Sequence, residues 1–331
     1  MMLNANKFQF QFYLINLFFI FFSTSSFGQE NDDAFFYIDS LGQVSEEANH
    51  KYIRLVKQYN VQKDDYQFIE YYKSGKIAAA GTTKDRDLIR KIGTVIHYYE
   101  NGTKKEISNY VESHLSGKQF KWYENGSIES EKEFSYDKVK NKTSEKIIQY
   151  WNTEKKQIVI DGNGIYEALT EDAIEGFEKN GQIYEKGEIK NGLKHGKWIG
   201  HSTYPKISFT EEYDNGKLLN GTSIDEENNQ YTYTEVKQEP TPAKGMNDFY
   251  RYVGKKYNAP NIRGFSGKIY ITFIVDKAGK LTEAKVVRDA GYGTGAEALR
   301  IINEAKDWKP GKKRGISSRF FYSLPITIMA N

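Results

Sequence analysis

The sequence predicts a mostly β protein with a small α+β domain. An N-terminal sheet of antiparallel β-hairpin repeats should lead into a C-terminal domain of order β-β-α-β. Three observations carry this expectation. Aromatic residues make up 15% of the chain, with 25 Tyr and 20 Phe, and aromatic and β-branched residues favour strands. An aromatic residue recurs two or three positions before a turn that ends in glycine. Near the C-terminus the hydrophobic period switches from two to that of a helix and back to two.

Taken in order, the chain begins with Lys7 ahead of an apolar run from Phe8 to Phe22, interrupted only by Gln9, Gln11 and Asn16. Ser23 to Ser26, Phe27 and Gly28 follow, small except for the phenylalanine. A basic flank, a short apolar core and small residues describe a signal peptide over residues 1–28, cleaved near Gly28. The run of about 15 residues is short for a membrane span of about 20; left uncleaved, it would tether the chain to a membrane. No cysteine occurs, which excludes disulfides, thiolate metal sites, a Cys nucleophile and a lipid-modified Cys N-terminus. The net charge is +3, but residues 246–331 hold 16 Lys/Arg and 7 Asp/Glu, a balance of +9 against −6 for the rest. A solvated basic face, or attraction to an acidic partner, accounts for this better than nucleic-acid binding does.

Short aromatic runs at residues 34–39 (AFFYID), 52–59 (YIRLVKQY) and 66–72 (YQFIEYY) are expected strands. A recurring unit follows: YKSG (72–75), YENG (99–102), YENG (123–126), FEKNG (177–181) and YDNG (213–216), with a degenerate copy at YWNTEKKQ (150–157). The glycines are 27, 24, 55 and 35 residues apart. Asn-Gly supplies the positive φ angles of two-residue hairpin turns, so each unit should be a hairpin. One hairpin cannot bury its apolar face alone, and stacking side by side makes a continuous sheet. The repeat region is expected over residues 29–220. The polar interval 221–245, with Pro240 and Pro242, reads as a linker, and the C-terminal domain spans 246–331.

In that domain Ile269, Ile271, Phe273 and Val275 alternate with Tyr270, Thr272 and Ile274 as in a strand, and Asp276 to Gly279 supply a turn. A second strand runs from Leu281 to Arg288, with Ala284 and Val286 on its apolar face. Thr294 and Glu297 have capping-box spacing, and Ala298, Ile301, Ile302 and Ala305 form one helical stripe. Pro310 and Gly311 should stop this helix. Trp308, just past its end, is expected in the core. The last strand carries Phe320, Tyr322, Leu324, Ile326 and Ile328 on one face, and Pro325 marks it as a sheet edge.

The segments FIVDKAGKL (273–281), residues 285–312 and YSLPITI (322–328) closely resemble the C-terminal domain of TonB, the periplasmic energy transducer of Gram-negative bacteria. MNDFYRYVGKKYNAP (246–260) resembles its lead-in helix. Upstream, GKQFKWYENG (117–126) and NGLKHGKWIG (191–200) resemble MORN-type repeats. With six prolines in the whole chain, the long Pro-rich spacer of TonB has no counterpart.

Candidate chemistry is sparse. His195 and His201 are six apart without a carboxylate at ligand spacing, and His195 sits in a repeat turn, so no metal is expected. Asp161-Gly-Asn-Gly lacks the later carboxylate of a calcium loop and reads as a plain turn. Gly291 to Gly295 lacks the Lys-Ser/Thr of a phosphate loop and reads as a strand-to-helix turn. Trp122, Trp151 and Trp198 are better explained by packing between hairpins than by ligand binding. Nothing points to an enzyme or a cofactor.

The resemblance implies a periplasmic, non-enzymatic protein that binds the extended peptide segment of an outer-membrane transporter by edge-strand pairing. The residues it implicates are Ser318, Arg319, Phe320, Phe321, Tyr322 and Ser323, with Arg319, Phe321 and Ser323 facing away from the core. An uncleaved N-terminus would add energy transduction alongside an inner-membrane ExbB/ExbD-like motor. The alternative is a cell-envelope scaffold whose hairpin sheet binds a protein or glycan partner.

Overall fold

The computed structural model describes residues 32–40, 42, 44–172, 181–306 and 308–329. The expected signal segment lies outside them. The first half of the repeat region contains β1 (Ala34–Ile38), β2 (Tyr52–Val56), β3 (Tyr66–Tyr72), β4 (Ile77–Thr83) and β5 (Lys91–Tyr98). It continues with β6 (Lys104–Val111), β7 (His114–Leu115), β8 (Gly117–Trp122) and β9 (Ile128–Asp137). The second half contains β10 (Lys142–Trp151), β11 (Gln157–Ile160), β12 (Asn163–Asp172), β13 (Gly181–Lys190), β14 (Leu193–Thr203), β15 (Lys206–Asp214), β16 (Lys217–Asp225) and β17 (Gln230–Tyr233). Neighbours in sequence pair antiparallel, except that β7 and β8 each pair with β6 and not with one another. The result is one 17-stranded meander.

The hairpins are present, but most of their turns differ from the expected two-residue type. Tyr72, Tyr99 and Tyr123 each donate their N–H to the carbonyl just past the glycine, and the glycine N–H returns to the Tyr carbonyl. Gly75, Gly102 and Gly126 have φ of 79°, 92° and 82°, whereas Asn101 and Asn125 do not have positive φ. These are three-residue loops, a type I turn closed by a left-handed glycine. The asparagines stay right-handed because their Oδ1 atoms accept the N–H of Thr103 at 2.8 Å and Ser127 at 2.9 Å. The degenerate copy has the same loop at Asn152, with Lys155 in the glycine position. Asn215-Gly216 does form a two-residue turn, with φ of 49° and 78°, and Asp161-Gly162 is another. The FEKNG turn lies outside the described residues up to Gly181.

The tyrosine that opens each turn also ties one repeat to the next. Tyr72 Oη donates to the carbonyl of Tyr98 at 2.7 Å, Tyr99 Oη to Trp122 at 2.8 Å and Tyr123 Oη to Trp151 at 2.8 Å. Over the second half, large rings lie flat on glycines of the adjacent strand. A Cβ on Gly187 would come within 2.3 Å of the Trp198 ring, and one on Gly221 within 2.3 Å of Tyr233. Trp198 is wholly buried in a cluster with Tyr150, Tyr166 and Tyr213, as the packing reading expected.

The interval expected as a linker is itself built of strands. It holds the end of β16, all of β17, and two short strands, β18 (Lys237–Gln238) and β19 (Thr241–Pro242). Next come α1 (Met246–Lys256), β20 (Ser266–Val275), β21 (Leu281–Arg288) and α2 (Thr294–Glu304). The chain ends with β22 (Trp308–Lys309), β23 (Lys312–Lys313), β24 (Ile316–Ser317) and β25 (Phe320–Met329). β20 is the centre of a three-stranded antiparallel sheet with β21 and β25 at its sides. Ile269, Ile271, Phe273 and Val275 share a core with Phe249, Val253, Ile301, Ile302, Trp308 and Leu324. The helices therefore cover that face of the sheet.

Two expectations at α2 are corrected. The residue before the helix is Gly293, in the left-handed region at φ 75°, and no side chain caps it. Glu297 turns instead to Arg300 and to the N–H of Asn258; Arg300 holds its carboxyl down at about 2. Asp289 serves the helix start from outside, accepting the N–H of Gly295 at 2.9 Å and the Thr294 hydroxyl at 2.5 Å. The helix also ends at Glu304, well before Pro310.

Candidate functional site

β25 is an edge. Its register with β20 runs without a break from Phe320↔Val275 to Ser266↔Met329, and among the described residues no other strand pairs with it. Pro325 has no N–H, so the regular ladder to β20 uses residues of the other parity. Phe321, Ser323 and Thr327 share Pro325's parity and turn their backbone groups to the open side. Their side chains lie on the sheet face opposite the core, which fits the exposure of Ser323 and Thr327.

The six residues singled out by resemblance occupy distinct environments. Ser318 is buried, donating its N–H to Gly311 at 2.9 Å and its hydroxyl to Ile316 at 3.1 Å. Its N–H is therefore already taken. Arg319 pairs with Glu283 of β21. Phe320 is buried against Gly311, where a Cβ would meet its ring at 2.3 Å. Tyr322 stacks on Phe273 at 5.3 Å and meets Trp308 edge-on at 5.3 Å. Burial pushes its hydroxyl pKa up, with Tyr250 and Glu239 adding to the rise. Phe321 is half-buried and Ser323 exposed.

Upstream of this edge lies a feature that no motif announced. The β23–β24 hairpin turns through Arg314 and Gly315, at φ 47° and 82°, and pairs with β18. Its arginine enters the face of the repeat sheet formed by β13 to β17. Arg314 Nε donates to Glu211 at 2.9 Å and Nη2 to Glu185 at 2.7 Å. The guanidinium lies 3.7 Å from the Phe209 ring centroid. Tyr213 and Tyr233 donate their hydroxyls to Glu211 at 2.9 and 2.7 Å, and Lys194 binds Glu185 at 3.0 Å. The Ser223 hydroxyl donates to the Arg314 carbonyl at 2.7 Å. Burial pushes the Glu185 carboxyl up, but Lys194 and Arg314 outweigh it and leave the group below its ordinary value. A second contact joins Arg288 to Asp87 at 3.3 Å. The partners of Arg314 lie 103 and 129 residues away, beyond the reach of local spacing.

The remaining candidates stay apart. His195 faces Asp214 at 3.7 Å, while His201 stacks on Tyr184 at 5.1 Å.

Residues 261–327 match the family described as Gram-negative bacterial TonB protein C-terminal. Residues 91–112 and 115–136 match the MORN repeat variant, and each stretch holds one strand–YENG–strand hairpin. No curated protein matches the chain at a significant level. The C-terminal region is thus TonB-like and the repeats are MORN-like. The TonB similarity suggests a periplasmic or envelope protein, in a family of transducers and binding proteins rather than enzymes. Among the described residues no helix is long and apolar enough to cross a membrane.

Proposed function

We propose that the chain is a periplasmic TonB-like protein that captures an extended peptide segment of an outer-membrane transporter along β25. The observation that supports this most is an open edge strand inside the TonB-like region. The outward N–H groups of Phe321, Ser323 and Thr327 would supply the ladder, and Arg319, Tyr322 and Phe320 would shape its entry. Each net backbone hydrogen bond contributes about 0.5–1.5 kcal/mol, so affinity would come from several together and choice from alternate side chains. On this reading residues 1–28 are removed near Gly28. A retained segment would instead anchor the chain beside an ExbB/ExbD-like motor and allow energy transduction; the N-terminal sequence of the purified native protein separates the two.

The capture itself is tested by titrating the chain from Gln29 onward with N-terminal peptides of outer-membrane transporters from the same organism. Phe321→Pro removes one outward donor, and Phe321→Ala keeps it. Proline should weaken capture about fivefold more than alanine, equivalent to about 1 kcal/mol. Equal binding by wild type and a folded Phe321→Pro chain would rule out this edge.

A further inference from the structure

The repeat sheet carries a second, half-buried polar cluster, far in sequence from the Arg314 contacts. Arg54, Glu70, Ala79, His97, Glu106 and Lys121 stand directly opposite one another across six strands. Directly opposed residues share a face, so this row forms one polar stripe. A cavity of about 480 Å³ opens onto its centre, between Glu70, His97 and Glu106, with Tyr52, Tyr72 and Tyr98 in its wall.

The charges in the stripe cancel in pairs. Arg54 binds Glu70 at 2.6 Å, and Lys121 binds Glu106 at 3.4 Å. Glu106 also accepts from the Ser108 hydroxyl. His97 is different: its Nδ1 is buried and has no hydrogen-bond partner. Burial holds the imidazole pKa below its ordinary value, with Lys91 adding to this, so the ring faces the cavity uncharged at neutral pH. A buried polar atom without a partner costs about 1–3 kcal/mol; Nδ1 itself is covered, but His97 is only half-buried and lines the cavity, where the rest of its ring can meet a ligand.

We propose that this cavity binds a neutral saccharide. Two features select that class, although Lys105 adds one cation to the lining. Carboxylates already oriented by Arg54 and Lys121 keep lone pairs for hydroxyl donors. Tyrosine rings offer flat apolar surfaces with polar tips, suited to a molecule with an apolar ring face and a hydroxylated rim. A volume of about 480 Å³ lies within the range of small-ligand pockets and accommodates one or two sugar rings. This site is independent of the β25 edge.

The test uses the chain from Gln29 onward with maltose, cellobiose and N,N′-diacetylchitobiose, and with glucose, glucosamine and glucuronate for comparison, read by ligand-observed NMR and thermal unfolding. At least one disaccharide should bind wild type with a Kd of about 1 mM or tighter. His97→Leu should weaken that binding at least fivefold without lowering Tm, because an apolar side chain of similar size removes a partnerless nitrogen. Tyr52→Leu should weaken binding at least fivefold. Three outcomes would overturn the proposal: no binding of any of the three disaccharides, wild-type binding by His97→Leu, or stronger binding of glucosamine or glucuronate than of glucose. A fall in Tm with His97→Leu would assign the ring a purely structural role and would also overturn it.

Discussion

Arg314→Met is expected to destabilise the chain by about 3–5 kcal/mol, the cost of leaving a buried charge without its partner. The structure supports the upper part of that range. Glu211 is 0% exposed and Glu185 keeps 19% of its side-chain surface, so Glu211 has no water to replace the guanidinium and Glu185 has little. Methionine retains much of the stacking on Phe209 and removes the charge, which confines the effect to electrostatics. For a chain of this size about 2 °C accompanies each kcal/mol, so Tm should fall by about 6–10 °C. The penalty should also depend on pH in one direction. In wild type the Glu185 pKa is depressed, so its contribution is present above the unfolded carboxylate pKa and is lost as pH falls through the folded one. In the variant the share of that depression due to Arg314 is gone and only that of Lys194 remains, so protonation relieves Glu185 earlier. The gap between the two proteins should therefore be widest near pH 7 and narrow towards pH 4. Adding Glu211→Gln to Arg314→Met should recover part of the loss at pH 7. Urea unfolding followed by tryptophan fluorescence at both pH values measures all of this. A loss under about 1 kcal/mol, or a gap that widens in acid, would refute the argument that the pair is desolvated.

Two further substitutions probe the repeats. Gly126→Val should cost about 1–3 kcal/mol: φ is 82° and nothing lies within 4 Å of a Cβ there, so the whole effect is backbone strain, and unchanged thermal unfolding would contradict the left-handed turn. Tyr99→Phe removes the hydroxyl that reaches the Trp122 carbonyl at 2.8 Å and should cost about 0.5–1.5 kcal/mol. Faster hydrogen exchange should follow around β8 and β9, and protection equal to wild type there would remove the tie between repeats.

What could be read from the sequence was local. Period-two alternation from Ile269 to Val275, the Asp276 to Gly279 turn and the stripe through Ala298 and Ile302 each involve neighbours in the chain. The structure has them where the pattern puts them. The turn type was misjudged because Asn-Gly fits two backbone solutions. The choice at Asn101 and Asn125 is made by a side-chain acceptor two residues from its donor. The capping box was misjudged for a similar reason: Thr294 and Glu297 have the spacing, but Asp289 and Arg300 compete for the same groups more effectively. The strands within 221–245 were hidden because Lys237–Gln238 and Thr241–Pro242 find their partners in β22 and β23. Polar composition and two prolines say nothing of a distant partner. The open edge was legible through Pro325, whereas the burial of Ser318 depends on a hairpin closing back on Gly311.

The charge division of the chain now has a physical use. A C-terminal part at +9 against a remainder at −6 suggested attraction to an acidic partner, and part of that partner is the chain's own repeat region. Arg314 meets Glu185 and Glu211, and Arg288 meets Asp87. Opposite net charges draw the two parts together before contact, and the buried pair then fixes their register. The hairpin that delivers Arg314 ends at Ser317, three residues before β25 begins, and its closing bond runs from Ser318 to Gly311. The first residues of the edge strand are therefore held by the same hairpin that holds the two parts together. A peptide paired along β25 would sit at a fixed position relative to the repeats, with no flexible spacer between them. High salt should leave this arrangement intact while weakening the exposed pairs around it, because buried charges are screened far less than exposed ones.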